Sequence, residues 1–327
     1  MKKNIALVAG GFTGEIVISM KSAETVYHNL DKEKYNVYRL IIDKESWRYV
    51  DDENNTFPID KNDFSIQLGN QKVKFDAAFI IIHGSPGEDG KLQGYFDMLN
   101  IPYQTCNAIT SAITMNKAYT KSVIADIDEV FVAKSMQLFA HSPMAAEEIL
   151  SKLQLPLFVK PNNGGSSIGM SKVKQADELP LALEKAFAED DQVLVEEFIE
   201  GREFTIGIVK LNGKIQTLPA TEIVSSKEFF DFEAKYTTGV TEEITPGRMT
   251  DEEKARVERA MVRIYDRLNC AGVVRIDYIL EKSANNMYVL EVNTVPGQSE
   301  NSIIPQQVRA MGGNMKDFYG SLIEQIL

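Results

Sequence analysis

Cysteine is almost absent: 327 residues carry only Cys106 and Cys270. They form no paired spacing, which argues against a disulfide scaffold or a thiolate zinc site and for free thiols in a reducing compartment. Histidine is as scarce, with three residues, His28, His83 and His141. Basic charge is in deficit: 35 Lys and Arg against 47 Asp and Glu give a net charge of −12. That field repels a phosphate backbone, so nucleic acid is not an expected partner. No uncharged apolar run reaches the roughly 18 residues a membrane helix needs, so no membrane partner is expected either. What remains is 44% apolar and 25% charged residues, the balance of a globular enzyme rather than of a disordered chain or coiled coil. The length suggests two or three domains whose cores need no covalent staples. MKKNIALVAGG opens with lysines, as a signal peptide does, but its apolar run is short and stops at Gly10 and Gly11. It reads as the first strand of a cytoplasmic protein.

Strand and helix patterns alternate through residue 105: strands at 5–9, 37–42 and 77–82 and a helix at 16–30. Runs that are apolar on both faces suit a covered parallel sheet, hence an open α/β unit, with the polar 51–55 stretch as a hairpin tip. A helix at 111–125 leads into a small α+β unit holding a strand at 157–160, the Gly/Ser/Asn loop 161–169, a strand at 170–173 and a helix at 177–188. From residue 192 long β runs joined by short turns predict antiparallel pairing. Between them Thr250, Glu253 and the apolar series Val257, Ala260, Met261, Ile264 predict a capped amphipathic helix. Residues 225–247 are charged, aromatic and irregular, a length typical of lids.

The strongest chemical signal is VVRIDYILEKSANNMYVLEVNTVPG, 273–297. A turn centred near Ala284 folds two strands together and sets Asp277 opposite Glu291 and Arg275 opposite Asn293 on one sheet face. The reverse face, with Val274, Ile276, Tyr278 and Val292, is mostly apolar. Two opposed carboxylates repel and call for a cation between them. A hard divalent ion held by Asp277, Glu291 and the Asn293 amide, with substrate phosphates and water completing its shell, fits that need. The competing reading is a solvated polar face with a salt bridge to Arg275.

KPNNGGSSIGM, 160–170, is a strand ending in Lys160 followed by small residues whose N–H and hydroxyl groups can fold over phosphates. Gly165-Ser166-Ser167-Ile168-Gly169 also fits G-x-S-x-G, a hydrolase elbow with Ser167 as nucleophile. That elbow needs a helix after it and a later histidine, and all three histidines precede it. Ala9-Gly10-Gly11-Phe12-Thr13-Gly14 gives an incomplete dinucleotide fingerprint, which leaves a nicotinamide-dependent dehydrogenase as an alternative. HGSPGEDG, 83–90, marks another ligand-side loop, with His83 more suited to fixing the loop than to general-base work.

In order and spacing, GGFTGE, HGSPGEDG, SAITMNK, KPNNGGSSIGMSKV, VEEFIEGREFT, FDFEAKY, RID and LEVNTVPG resemble the D-alanine:D-alanine ligases of the ATP-grasp superfamily over nearly the whole chain. The resemblance implies a Rossmann-like substrate domain (1–105), a central ATP-grasp subdomain (106–188) and a C-terminal one (189–327) carrying a mobile loop at 225–247. By the same resemblance Lys117, Lys160 and Lys235 meet ATP phosphates, Glu196, Glu197 and Ile199 receive adenine, and Glu203 binds ribose. Asp277, Glu291 and Asn293 hold magnesium, two ions with manganese as a substitute. Glu15, Ser166 and Tyr236 form a substrate triad, Arg275 and the Gly297 N–H stabilise an oxyanion, and Ser302 binds the second substrate's carboxylate. The implied reaction is ATP-dependent joining of two D-alanine molecules through an acyl phosphate, with another ATP-grasp carboxylate–amine ligase of different acceptor as the alternative. The implied partners are two D-alanine molecules and a second copy of the chain. Ile16, Val17, Glu197 and Asn301 depart from the residues usual in the family.

Overall fold

The computed structural model describes residues 2–165, 168–225 and 241–327. β1 (Lys3–Gly10), buried from Ile5 onward, runs parallel to β2 (Tyr35–Ile42), with α1 (Ile16–Asn29) as the crossover. β3 (Trp47–Val50), β4 (Thr56–Asp60), β5 (Ser65–Leu68) and β6 (Gln71–Val73) extend this sheet as an antiparallel meander, and β7 (Ala77–Ile80) rejoins β1 in parallel. The sheet, ordered β6-β5-β4-β3-β2-β1-β7, is therefore parallel only at β2-β1-β7. Short turns between β2 and β6 permit nothing but antiparallel neighbours. At the 51–55 tip the Asp51 carboxylate accepts the amides of Glu53 (3.0 Å) and Asn55 (2.7 Å), the Asx geometry that closes a polar hairpin.

α2 (Lys91–Leu99) follows, then α3 (Ala108–Met115) and α4 (Lys117–Ile124) where the periodicity predicts one helix at 111–125. Asn116 breaks it: at φ −87°, ψ 101° it leaves helical geometry, and its side chain accepts the Tyr119 amide at 3.0 Å as N-cap of α4. β8 (Ser135–Phe139), α5 (Ala146–Lys152), β9 (Leu157–Pro161), β10 (Ser171–Val173), α6 (Leu179–Phe187) and β11 (Gln192–Glu197) build a second, antiparallel sheet, β10-β9-β11-β8, backed by α5 and α6.

The third sheet takes β12 (Gly201–Leu211), β13 (Lys214–Thr217), β14 (Thr221–Ser225), β15 (Thr241–Ile244), β16 (Val273–Glu281) and β17 (Met287–Asn293), in the order β15-β14-β12-β16-β17 with β13 on β12. The segment predicted irregular at 225–247 thus has strand at both described ends, Ser225 pairing with Thr241. α7 (Asp251–Arg267) precedes β16, starts with the Thr250–Glu253 capping box, and buries Val257, Ala260, Met261 and Ile264 on the sheet. α8 (Ile303–Ala310) and α9 (Met315–Glu324) end the chain. They return to the first sheet, where Ile304, Val308, Tyr319 and Leu322 join Ile5, Leu7 and Phe79, while Leu92 and Phe96 of α2 cover the other face. Cover on both faces is why β1 and β7 are apolar throughout. Among the described residues no helix is long and apolar enough to cross a membrane.

The third sheet approaches the first at Gly272, with φ +64° and an ideal Cβ only 1.8 Å from Gln104 O. Gly272→Ala is expected to lower the unfolding free energy by more than about 2 kcal/mol, measured by urea titration, because both backbone strain and a backbone clash oppose it. A smaller loss would mean the two backbones separate readily.

Candidate active site

The β16–β17 hairpin brings the acidic residues together. Arg275 pairs with Asn293 and Asp277 with Glu291, and the predicted reverse face, Val274, Ile276, Tyr278 and Val292, is buried. The register nearer the turn, with Leu280 on Met287, would if continued set Asp277 against Leu290. A bulge restores the carboxylate pair by making Leu290 the extra residue, so that Leu290 and Glu291 both line the cavity below. Asp277 receives Arg275 Nε at 2.9 Å and Nη2 at 2.8 Å, Asn293 Nδ2 at 3.3 Å, and the Thr205 hydroxyl. Burial opposes the charge on Arg275, but the Asp277 carboxylate outweighs it and raises the guanidinium above its usual range.

Facing this hairpin are the lysines. The break at Asn116 makes Lys117 the first residue of α4, and its ammonium bonds Gly164 O in the small-residue loop and lies 3.5 Å from Glu291. Lys160, near the end of β9, lies opposite Leu194 of β11 and pairs with Glu196 two positions along that strand, on the same sheet face. Glu196 also takes Lys121 at 2.8 Å. Burial would push the Glu196 carboxyl up, but the two ammonium groups overcome it and hold the pKa at about 2. Glu197 instead accepts the Gln154 amide at 3.0 Å.

Lys117, Lys160, Glu196, Glu197, Thr205, Arg275, Asp277, Glu291 and Asn293 border one cavity of about 610 Å³, which Lys121 does not reach. Phe158, Met170, Phe198, Ile199, Ile279 and Leu290 supply apolar wall, and Glu203 lies on the same lining. Glu15, at the N-cap of α1, Gly297 and Ser302 share the lining. Glycine at 10 and 11 (φ +110° and +125°) turns β1 toward Glu15, and a Cβ at Gly10 would meet Ile42 O at 2.3 Å. Ser302 is the N-cap of α8 without a capping side-chain bond; its hydroxyl bonds Ser299 Oγ at 2.6 Å, and Gly297 packs against it. Every described residue to which the resemblance assigns a role lines the cavity, while Ser166, Lys235 and Tyr236 lie outside the described residues.

The sequence reading missed Lys121, Thr205 and Glu88. Glu88 accepts the amides of Gly84 (2.8 Å) and Val295 (3.0 Å) and so ties the 83–90 loop to the segment after β17. Burial and the nearby Glu15 carboxylate raise its pKa to about 7. His83 reinforces the tie: Nδ1 donates to Val295 O at 2.8 Å, Nε2 bonds Ser22 Oγ at 3.3 Å, and burial lowers its pKa. Both ring nitrogens are engaged in holding the loop. Among the described residues no three His, Cys, Asp or Glu groups converge as a closed metal cage. Two carboxylates and one amide on an open cavity wall are the donor set of an ion whose remaining ligands come from substrate phosphate and water.

Residues 4–106 match the family model described as D-ala D-ala ligase N-terminus, and residues 124–326 match D-ala D-ala ligase C-terminus. The chain is 46% identical over 327 residues to a D-alanine–D-alanine ligase of Parabacteroides distasonis, covering 100% of this chain and 98% of that protein. It is 44% identical over 324 residues to one of Bacteroides fragilis, covering 99% of each. Among solved structures, the VanG D-Ala:D-Ser ligase from Enterococcus faecalis superposes with a TM-score of 0.90 at 29% identity over 100% of both chains. The D-alanine–D-alanine ligase from Bacillus anthracis complexed with ATP gives 0.77 at 29%, over 98% of this chain and 96% of that one. With both halves matched and relatives aligned end to end, the hydrolase and dehydrogenase readings fall away, and the chain belongs to the D-alanine–D-alanine ligase family.

Proposed function

We propose that this protein joins two D-alanine molecules into D-alanyl-D-alanine, with conversion of ATP to ADP and phosphate, for peptidoglycan precursor synthesis. The observation that carries this reading is one cavity whose lining joins the Asp277–Glu291–Asn293 face and the lysines Lys117 and Lys160 to Glu15, Gly297 and Ser302. ATP lies with adenine against the apolar wall by Phe158, Phe198 and Ile199, ribose toward Glu203, and triphosphate toward the lysines. Asp277, Glu291 and Asn293 are the residues to hold Mg²⁺, which when bound neutralises phosphate charge.

Glu15 receives the ammonium of the first D-alanine, and Arg275 and Lys117 draw its carboxylate toward the γ-phosphorus. Attack gives an acyl phosphate, with most of the acceleration coming from positioning and electrostatics. The second D-alanine lays its carboxylate at the N-terminus of α8, where unpaired N–H groups and the Ser302 hydroxyl favour an anion. Its amine attacks the acyl carbon, the Arg275 guanidinium and Gly297 N–H take the oxyanion, and phosphate leaves. We place this work in the cytoplasm, where ATP is at hand and Cys106 and Cys270 stay reduced, and in a homodimer. Residues 1–105 supply Glu15, 106–188 the lysines and 189–327 the acidic face, with β11 working as part of the middle sheet.

The test is ADP release with Mg-ATP and a panel of D-alanine, D-serine, D-lactate and L-alanine, with products weighed. D-Alanyl-D-alanine should dominate; ADP release independent of D-alanine, or D-alanyl-D-serine as the main product, would overturn the assignment. Ser302→Ala should raise KM for the second D-alanine about tenfold, the worth of one hydrogen bond to a charged group, with KM for ATP unchanged. An unaltered KM for the acceptor would move that carboxylate elsewhere.

A further inference from the structure

Lys121 is buried, 6% exposed, and does not line the cavity, yet it is bound to a residue that does. It lies one helical turn beyond Lys117 on α4, so both side chains leave the helix on one side. α4 itself is held against the second sheet: the Ala118 amide donates to Asn162 Oδ1 at 3.0 Å and Asn116 Nδ2 to Gln192 Oε1 at 3.1 Å. Lys121 Nζ therefore starts from a fixed backbone and reaches Glu196 Oε2 at 2.8 Å, while Lys160 holds Glu196 Oε1. Each oxygen of one buried carboxylate is given to a different lysine.

That division has a consequence for Lys160. A carboxylate in a buried site attracts any nearby cation strongly, because little water screens it. With Lys121 on one oxygen, Glu196 keeps only half of its acceptor capacity for Lys160, and the two ammonium groups repel each other across it. Without Lys121, Lys160 is the remaining partner and is drawn onto both oxygens, back from the cavity. We infer that Lys121 is a positioning residue of the nucleotide site, whose hold on Glu196 Oε2 keeps the Lys160 ammonium presented to the cavity. The inference rests on the reading of the cavity wall around Lys160 as the place where ATP binds. Lys121 touches no substrate in this arrangement; it acts only through Glu196.

Steady-state kinetics on the full chain with Mg-ATP test it. Lys121→Met should raise KM for ATP about 10- to 100-fold, the range for losing one charge-assisted contact, while kcat falls less than about threefold and KM for D-alanine stays put. Lys121→Arg, which keeps a cation on Oε2, should restore KM to within about threefold of the parent. Lys121→Gln keeps a hydrogen-bond donor but no charge, so it is the variant to read if Lys121→Met fails to fold, and it should show the same raised KM. A lowered Tm with KM for ATP unchanged in Lys121→Gln or Lys121→Met would overturn the inference, because a purely structural lysine predicts that pattern. Lys160→Met is the control: if it raises KM for ATP and Lys121 variants do not, this inference alone fails. If neither changes KM, the nucleotide reading fails and takes the inference with it.

Discussion

Glu291→Gln should reduce ligation by about 1,000-fold or more while leaving the chain folded. The substitution keeps the length, the planar head and one acceptor oxygen, so the bulge at Leu290 and the pairing with Asp277 have no reason to change. What it removes is one of two negative charges opposed across β16 and β17. Asp277 cannot make up the lost charge, because the Arg275 guanidinium already offsets its own. Lys117, 3.5 Å from Glu291, then loses its carboxylate neighbour as well, so charge on the wall changes by a full unit where a triphosphate must be met. Turnover at saturating Mg-ATP, with Tm as the check on folding, decides it. A variant that kept half its turnover would take Glu291 out of the metal site.

The partnership behind that prediction was legible because period two is a strong signal: alternate residues of 273–281 and 287–293 are polar, and only one pairing puts them on one face. The route to it was less direct than the sequence suggests. A turn centred on Ala284 yields the Asp277–Glu291 pair without irregularity, whereas the chain turns half a residue earlier and recovers the pair through Leu290. Nothing in MYVLEVN announces that insertion, since a leucine is as acceptable at a bulge facing an apolar wall as in a regular ladder.

Lys121 and the break at Asn116 escaped notice for related reasons. SAITMNKAYTKSV has the apolar spacing of one helix, and Asn is only a weak breaker until its side chain finds the Tyr119 amide. The break is what starts α4 at Lys117. Lys121 could have been marked by its place four residues on, but its partner Glu196 is 75 residues away and becomes a neighbour only through the second sheet. The meander β3–β6 was hidden differently: its strands are short, and their polar turns read as surface loops between parallel strands. The resemblance named residues that the fold gathers on one cavity lining because ordered motifs carry long-range geometry that local periodicity does not.

Arg275→Lys should cost about 100- to 1,000-fold in kcat although it preserves charge. The Arg275 guanidinium meets Asp277 with its Nε and Nη2 edge, two parallel bonds at 2.9 and 2.8 Å, which leaves Nη1 as the group not engaged with that carboxylate. A lysine in the same place is a point charge: it can satisfy Asp277 or meet an oxyanion, but it has no rigid fork to do both. Were Arg275 only a counter-charge for Asp277, lysine would serve nearly as well, and activity within about fivefold of the parent would show that. The deficit should also fall unequally on the two chemical steps. An oxyanion at the acyl carbon forms when the second D-alanine attacks, so a single turnover should lose dipeptide more than it loses the ADP released with the acyl phosphate. Equal loss of ADP and dipeptide would assign Arg275 to the phosphoryl transfer alone, and the Gly297 N–H would be left to hold the oxyanion without it.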